Sequence, residues 1–164
     1  MKISLYISFF MVFLACKNQK ELTSSELESS AVLWEHANYK PEKGAILPTN
    51  YSTYILNTKL FAQALENGSI ELPNFSNSWT SYQVKRSATM SESLQEKFPN
   101  IRSYEGQELK QKQNQVRIDQ KNDSFKIVVY TSSGTYFIQE LETSGIYYFF
   151  NKADLPENTG LINE

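Results

Sequence analysis

Gln115-Val-Arg-Ile-Asp-Gln120, Ser124-Phe-Lys-Ile-Val-Val-Tyr130 and Thr135-Tyr-Phe-Ile-Gln-Glu-Leu141 follow one another with only Lys121-Asn-Asp123 and Ser132-Ser-Gly134 as notable connections. Each run is rich in β-branched and aromatic residues, which suit a pleated, half-buried surface, so each reads as a strand. The connections carry the Asn, Asp and Gly that tight hairpins need where φ turns positive. Consecutive hairpins make a meander, and a meander is antiparallel. Gly145-Ile-Tyr-Tyr-Phe-Phe150 extends it by a final strand. In that strand, alternation places every second member of Tyr147-Tyr148-Phe149-Phe150 in the core. The other reading of those four rings is an exposed aromatic face for a protein partner.

Working back from the meander, Ile101 to Tyr104 reads as a strand and Glu105 to Asn114 as a polar loop. Trp79 to Ser87 alternates as a strand should, and Ile70-Glu-Leu-Pro73 is a shorter one. Ser91 or Ser93 caps a helix through Leu94 to Phe98, which Pro99 stops. Thr58 caps a helix over Lys59–Glu66, with Leu60, Phe61, Ala64 and Leu65 on one stripe and Asn67-Gly68 as its end. Tyr51 to Asn57 is a strand introduced by Pro48. The expectation is an α+β domain over residues 46–152, an antiparallel sheet of about six to eight strands with two short helices packed against it.

Composition narrows the function. The 164 residues include 16 Lys plus Arg against 18 Asp plus Glu, for a net charge of −2. That balance lacks the basic face nucleic acid requires, so no nucleic-acid partner is expected. One Cys excludes an internal disulfide and a Cys-based metal cage. One His excludes two-histidine zinc motifs such as H-E-x-x-H. His36 has no Cys, His or paired carboxylate at ligand spacing and reads as a surface or edge residue. Glu140-Leu-Glu142 lies too close along one strand to flank a sugar bond. No catalytic, metal or cofactor residue is expected, and the chain is not read as an enzyme.

The N-terminus reads as an address. Met1-Lys2 is followed by an apolar run from Ile3 to Leu14, too short to span a hydrocarbon core about 30 Å thick. Phe13-Leu14-Ala15-Cys16 resembles a bacterial lipobox, with Phe13 where Leu is usual. On that reading residues 1–16 are a lipoprotein signal peptide and Cys16 is acylated, anchoring the protein to a membrane of the cell envelope. The expected place is the outer membrane or cell surface of a Gram-negative bacterium. An ordinary secretory signal, with Cys16 incidental, is the alternative. Residues 17–45 then form a polar tether with room for one short helix through Leu27, Val32 and Leu33, capped by Ser24 or Ser25. Trp34 and Tyr39 would dock on the domain's edge. Residues 153–164 are a polar tail.

Several segments, in order, resemble the N-terminal propeptide region of secreted bacterial zinc metalloproteases of the reprolysin-like type. They include Leu47–Leu65, Ile70–Pro73, Tyr82–Met90, Val116–Asp119, Ser133–Ile138 and Ile146–Phe150. The most specific is Leu94-Gln-Glu-Lys-Phe-Pro-Asn-Ile-Arg-Ser-Tyr-Glu-Gly-Gln107, a helix–Pro–strand–Gly step carried by Phe98, Pro99, Tyr104 and Gly106. The family's catalytic helix carries H-E-x-x-H-x-x-G-x-x-H, and these 164 residues contain no such motif. The resemblance therefore implies a non-enzymatic, propeptide-like lipoprotein that binds, inhibits or helps fold a zinc metalloprotease catalytic domain. Glu105 or Glu108, read as loop carboxylates, would approach the partner's metal. The alternatives are a structural or adhesive surface lipoprotein and the remnant of a truncated metalloprotease precursor.

Overall fold

The computed structural model describes residues 32–39, 47–140 and 145–156. The signal peptide, Cys16, most of the tether, Glu142 and residues 157–164 lie outside them. Nine strands are present: β1 (Trp34–His36), β2 (Tyr51–Leu56), β3 (Ser69–Pro73), β4 (Trp79–Arg86), β5 (Ile101–Glu108), β6 (Gln115–Lys121), β7 (Ser124–Thr131), β8 (Gly134–Glu140) and β9 (Ile146–Asn151). Helix α1 (Thr58–Glu66) joins β2 to β3, and α2 (Glu92–Lys97) joins β4 to β5. The strands form one sheet in the order β1-β2-β9-β8-β7-β6-β5-β4-β3. Every neighbouring pair is antiparallel. The expected α+β class and the meander hold, but the sheet has more strands than expected.

The additional strand comes from the stretch read as tether. Trp34 pairs with Leu56 and His36 with Tyr54, so this segment joins the sheet. Three residues are too few for an alternation pattern, and that is why the sequence concealed them. The polar stretch after Tyr104 is also corrected. Glu105 to Glu108 continues β5, pairing with Lys85 to Tyr82 of β4, and only Leu109 to Asn114 forms the loop. Neighbouring strands on both sides supply the hydrogen bonds that override its polar composition.

The sheet curls until its two edges meet. They are joined by a side chain: Trp34 Nε1 of β1 donates to the carbonyl of Glu71 in β3 at 2.9 Å. Beside it Tyr54 of β2 and Trp79 of β4 pack edge-on at 6.2 Å. The result is a barrel with one seam closed by aromatic residues. Gly106 marks the tight curl in β5, where a Cβ would lie 2.3 Å from the Gln83 carbonyl and 2.6 Å from Val84 Cγ1.

Register gives the barrel two ends. The helical end carries both helices and the β6–β7 connection, and β8 ends and β9 begins there. The loop end carries the β3–β4, β5–β6 and β7–β8 connections. Helix α1 starts at Asn57, whose side chain accepts from Leu60 N–H at 3.2 Å, one residue before the expected cap Thr58. Gly68 follows its last turn with φ +78°, a left-handed conformation that glycine adopts without a Cβ clash. Phe61 and Leu65 of α1 are buried in the core, and the Phe61 ring meets Phe125 edge-on at 4.9 Å and Trp34 at 5.6 Å. Helix α2 follows Ser91, which makes no side-chain capping bond, and it ends at Lys97.

The aromatic run of β9 departs from simple alternation. All four of its rings are buried. Tyr147 and Phe149 face the barrel core, while Tyr148 and Phe150 belong to a second apolar cluster with Val128 and Phe137. Tyr39, Leu47, Tyr51 and Leu155 pack against that cluster, so the outer face of β9 is covered by the chain itself. No helix among the described residues is long and apolar enough to cross a membrane.

Candidate functional site: the open end of the barrel

The four residues of the helix–Pro–strand–Gly step are not brought to one site. Phe98 and Pro99 are exposed just after α2. Tyr104 is buried, and its hydroxyl donates to Glu66 Oε1 at 2.7 Å. Gly106 serves the curl of β5. Cys16 lies outside the described residues. His36 is exposed, with its ring 4.6 Å from that of Tyr54. Glu140 accepts from Gly145 N–H at 2.8 Å. Ser132 and Ser133 form the β7–β8 turn, as expected. Among the described residues no group of three or more His, Cys, Asp or Glu is placed to hold a metal ion.

The two carboxylates singled out on β5 differ in fate. Glu105 points outward and pairs with Lys85 at 3.2 Å, both side chains being more than half exposed. Glu108, three residues on, falls on the inner face and is only 8 % exposed. It is held inside the barrel rather than displayed on a loop, which corrects the expectation that it is presented to a partner's metal.

Glu108 sits in a cavity of about 360 Å³ at the loop end. Three connections build the mouth. The β3–β4 loop is folded by Asn74, whose Oδ1 accepts from Ser76 N–H, Ser78 N–H and Ser78 Oγ–H. That turn delivers Phe75 onto Phe149, with ring centroids 4.4 Å apart, and onto Tyr136 at 5.3 Å. The β5–β6 loop closes on itself: Glu108 N–H donates to Asn114 O at 3.1 Å, and Asn114 N–H to Gln111 O at 2.8 Å. Leu109 N–H donates to Ser81 O, fixing this loop to β4. In the β7–β8 turn, Thr131 Oγ1 accepts from Ser133 N–H, and the Ser133 and Tyr136 hydroxyls lie 3.0 Å apart.

The electrostatics of the cavity are acceptor-rich. Asn114, 5 % exposed, donates through Nδ2 to Glu108 Oε2 at 2.7 Å and to Gln111 Oε1 at 3.3 Å. Its Oδ1 is buried without a hydrogen-bond partner. Burial pushes the Tyr82 hydroxyl up to about 12, and the nearby negative charge of Glu108 adds to the effect. Of the lining rings Phe75 is 40 % exposed, while Trp79 and Leu109, next in sequence to the lining residues Thr80 and Glu108, are 44 % and 52 % exposed. Sequence reasoning missed this site because Glu108, Asn114 and Tyr82 stand in segments whose convergence depends on the curl of the sheet. The one local signal was a carboxylate in phase with Tyr104 on β5. No protein-family model, curated protein or solved structure matches the chain.

Proposed function

We propose that the chain is a non-enzymatic lipoprotein of the cell envelope, held by a lipid on Cys16, whose barrel binds a partner through its loop end. The partner proposed is a zinc metalloprotease catalytic domain, which the barrel inhibits or helps fold. The observation that carries the binding reading is the preformed cavity at the loop end, lined by the half-exposed ring of Phe75, with Trp79 and Leu109 exposed at positions adjoining the lining residues Thr80 and Glu108. Exposed apolar groups gathered about a pocket are typical of interaction surfaces. The choice of partner is supported by the propeptide-like order of segments in the sequence, and the anchor by Phe13-Leu14-Ala15-Cys16.

The test is a peptidase assay on a purified reprolysin-like zinc metalloprotease, titrated with the full chain in an uncharged maltoside detergent. The proposal expects the rate to fall with added chain and a Phe75→Ser/Leu109→Ser variant to lose the effect. An unchanged rate, with no co-migration on gel filtration, removes the protease from the reading. The anchor is tested separately by incorporation of labelled palmitate, expected in the wild type and absent from Cys16→Ser.

A further inference from the structure

The loop-end cavity presents a carboxylate without a cation. Among the described residues Glu108 belongs to no ion pair. None of the residues lining the cavity is Lys, Arg or His. Lys110 and Lys112 of the adjoining loop are exposed and do not line it. A buried carboxylate is ordinarily paired, because burial of an isolated charge is strongly unfavourable.

The second observation is independent. Asn114 cannot be turned over to satisfy its free oxygen, since Nδ2 already serves two acceptors, Glu108 Oε2 and Gln111 Oε1. Its Oδ1 is therefore an unpartnered acceptor on a residue more than nine-tenths buried in the cavity wall. The carboxylate lining the cavity calls for a donor, and the best donor there also carries positive charge. Tyr82, Tyr136, Phe75 and Phe149 are among the other lining residues, and aromatic faces attract cations. A volume of about 360 Å³ is near the lower end for small-molecule pockets.

We propose that this cavity binds the ammonium group of a small amine, seated against Glu108 between the aromatic walls. The inference rests on the loop end being the binding end of the barrel and names the chemistry that end recognises. Anionic ligands are disfavoured there by Glu108.

The test is calorimetric titration of the full chain, in the same uncharged detergent, with 2-phenylethylamine and with the neutral 2-phenylethanol. The expected result is one amine bound per chain, with the alcohol at least tenfold weaker, and loss of that difference in Glu108→Gln. Equal binding of the two probes, or no binding of the amine to the folded wild type, overturns the proposal. The wild-type contrast decides the matter even where Glu108→Gln does not fold. A further arm uses acetyl-Gly-Lys-Gly-amide. Tighter binding of the peptide than of the amine assigns the ammonium to a partner's lysine side chain, and weaker binding assigns it to a free amine; both uphold the site. A chain that slows the protease yet ignores the amine overturns this inference alone. One that binds the amine without affecting the protease overturns the partner reading alone.

Discussion

Glu66 and Glu108 stand at opposite ends of the same barrel and are satisfied in opposite ways. At the helical end, Glu66 Oε1 receives both the Tyr104 hydroxyl at 2.7 Å and the Arg102 guanidinium at 3.0 Å, with its side chain 58 % exposed. At the loop end, Glu108 is almost wholly buried and, among the described residues, receives only the Asn114 amide. The exposed carboxylate has the cation and the buried one does not. For stability alone the reverse would serve better, since an exposed pair contributes about 0–1 kcal/mol and a lone buried charge is strongly unfavourable. The helical end closes the fold, and the loop end retains an electrostatic demand that folding does not meet.

That contrast is sharpened by substitutions at the two ends. The largest effect is expected from Phe61→Ala, which removes the ring on which Trp34 and Phe125 pack. It should lower the unfolding free energy in urea by about 3–5 kcal/mol. Gly106→Ala, at the curl shared by both ends, should cost about 1–3 kcal/mol by the same measurement, because the new methyl group collides with β4 backbone. Glu108→Gln should instead raise stability, on the order of 1 kcal/mol, since the amide oxygen keeps the bond from Asn114 while the buried charge is removed. Glu66→Gln should lower it by less than about 1 kcal/mol. Two changes of the same sign would break the comparison.

Titration separates the ends further. Tyr82 at the loop end and Tyr147 at the helical end are both pushed up to about 12 by burial, with neighbouring carboxylates adding to it. A folded-state value raised above the unfolded 10 contributes stability that is intact below pH 10 and is lost as pH rises towards 12. Ultraviolet titration should show Glu108→Gln bringing Tyr82 down while leaving Tyr147 where it was.

The meander from Gln115 to Glu140 was legible because each strand is long, β-branched and bounded by turn residues, and the observed ends agree to within a residue. Helix α1 was legible for the same kind of reason: its apolar stripe and Gly68 are local signals. Three features were not. β1 is too short to show a period. Glu105 to Glu108 looks like a loop because its two carboxylates and Gln107 are polar, while its conformation is set by ladders from β4 and β6. The double burial of β9 depends on Tyr39, Leu47 and Leu155 returning over its outer face, an arrangement of distant segments. The loop-end cavity is of this third kind, assembled from three connections by the curl of the sheet.

The indole of Trp34 has a mechanical consequence. Across most of the barrel, strands are held by rows of hydrogen bonds that must yield together. At the seam, β1 and β3 are joined by one indole N–H and its aromatic neighbours. By covalent order, any pull transmitted from residues 17–33 reaches Trp34 before the rest of the barrel. The fold thus has a weak link where the chain enters β1, and traction on the preceding residues would part the seam before it unravelled the meander.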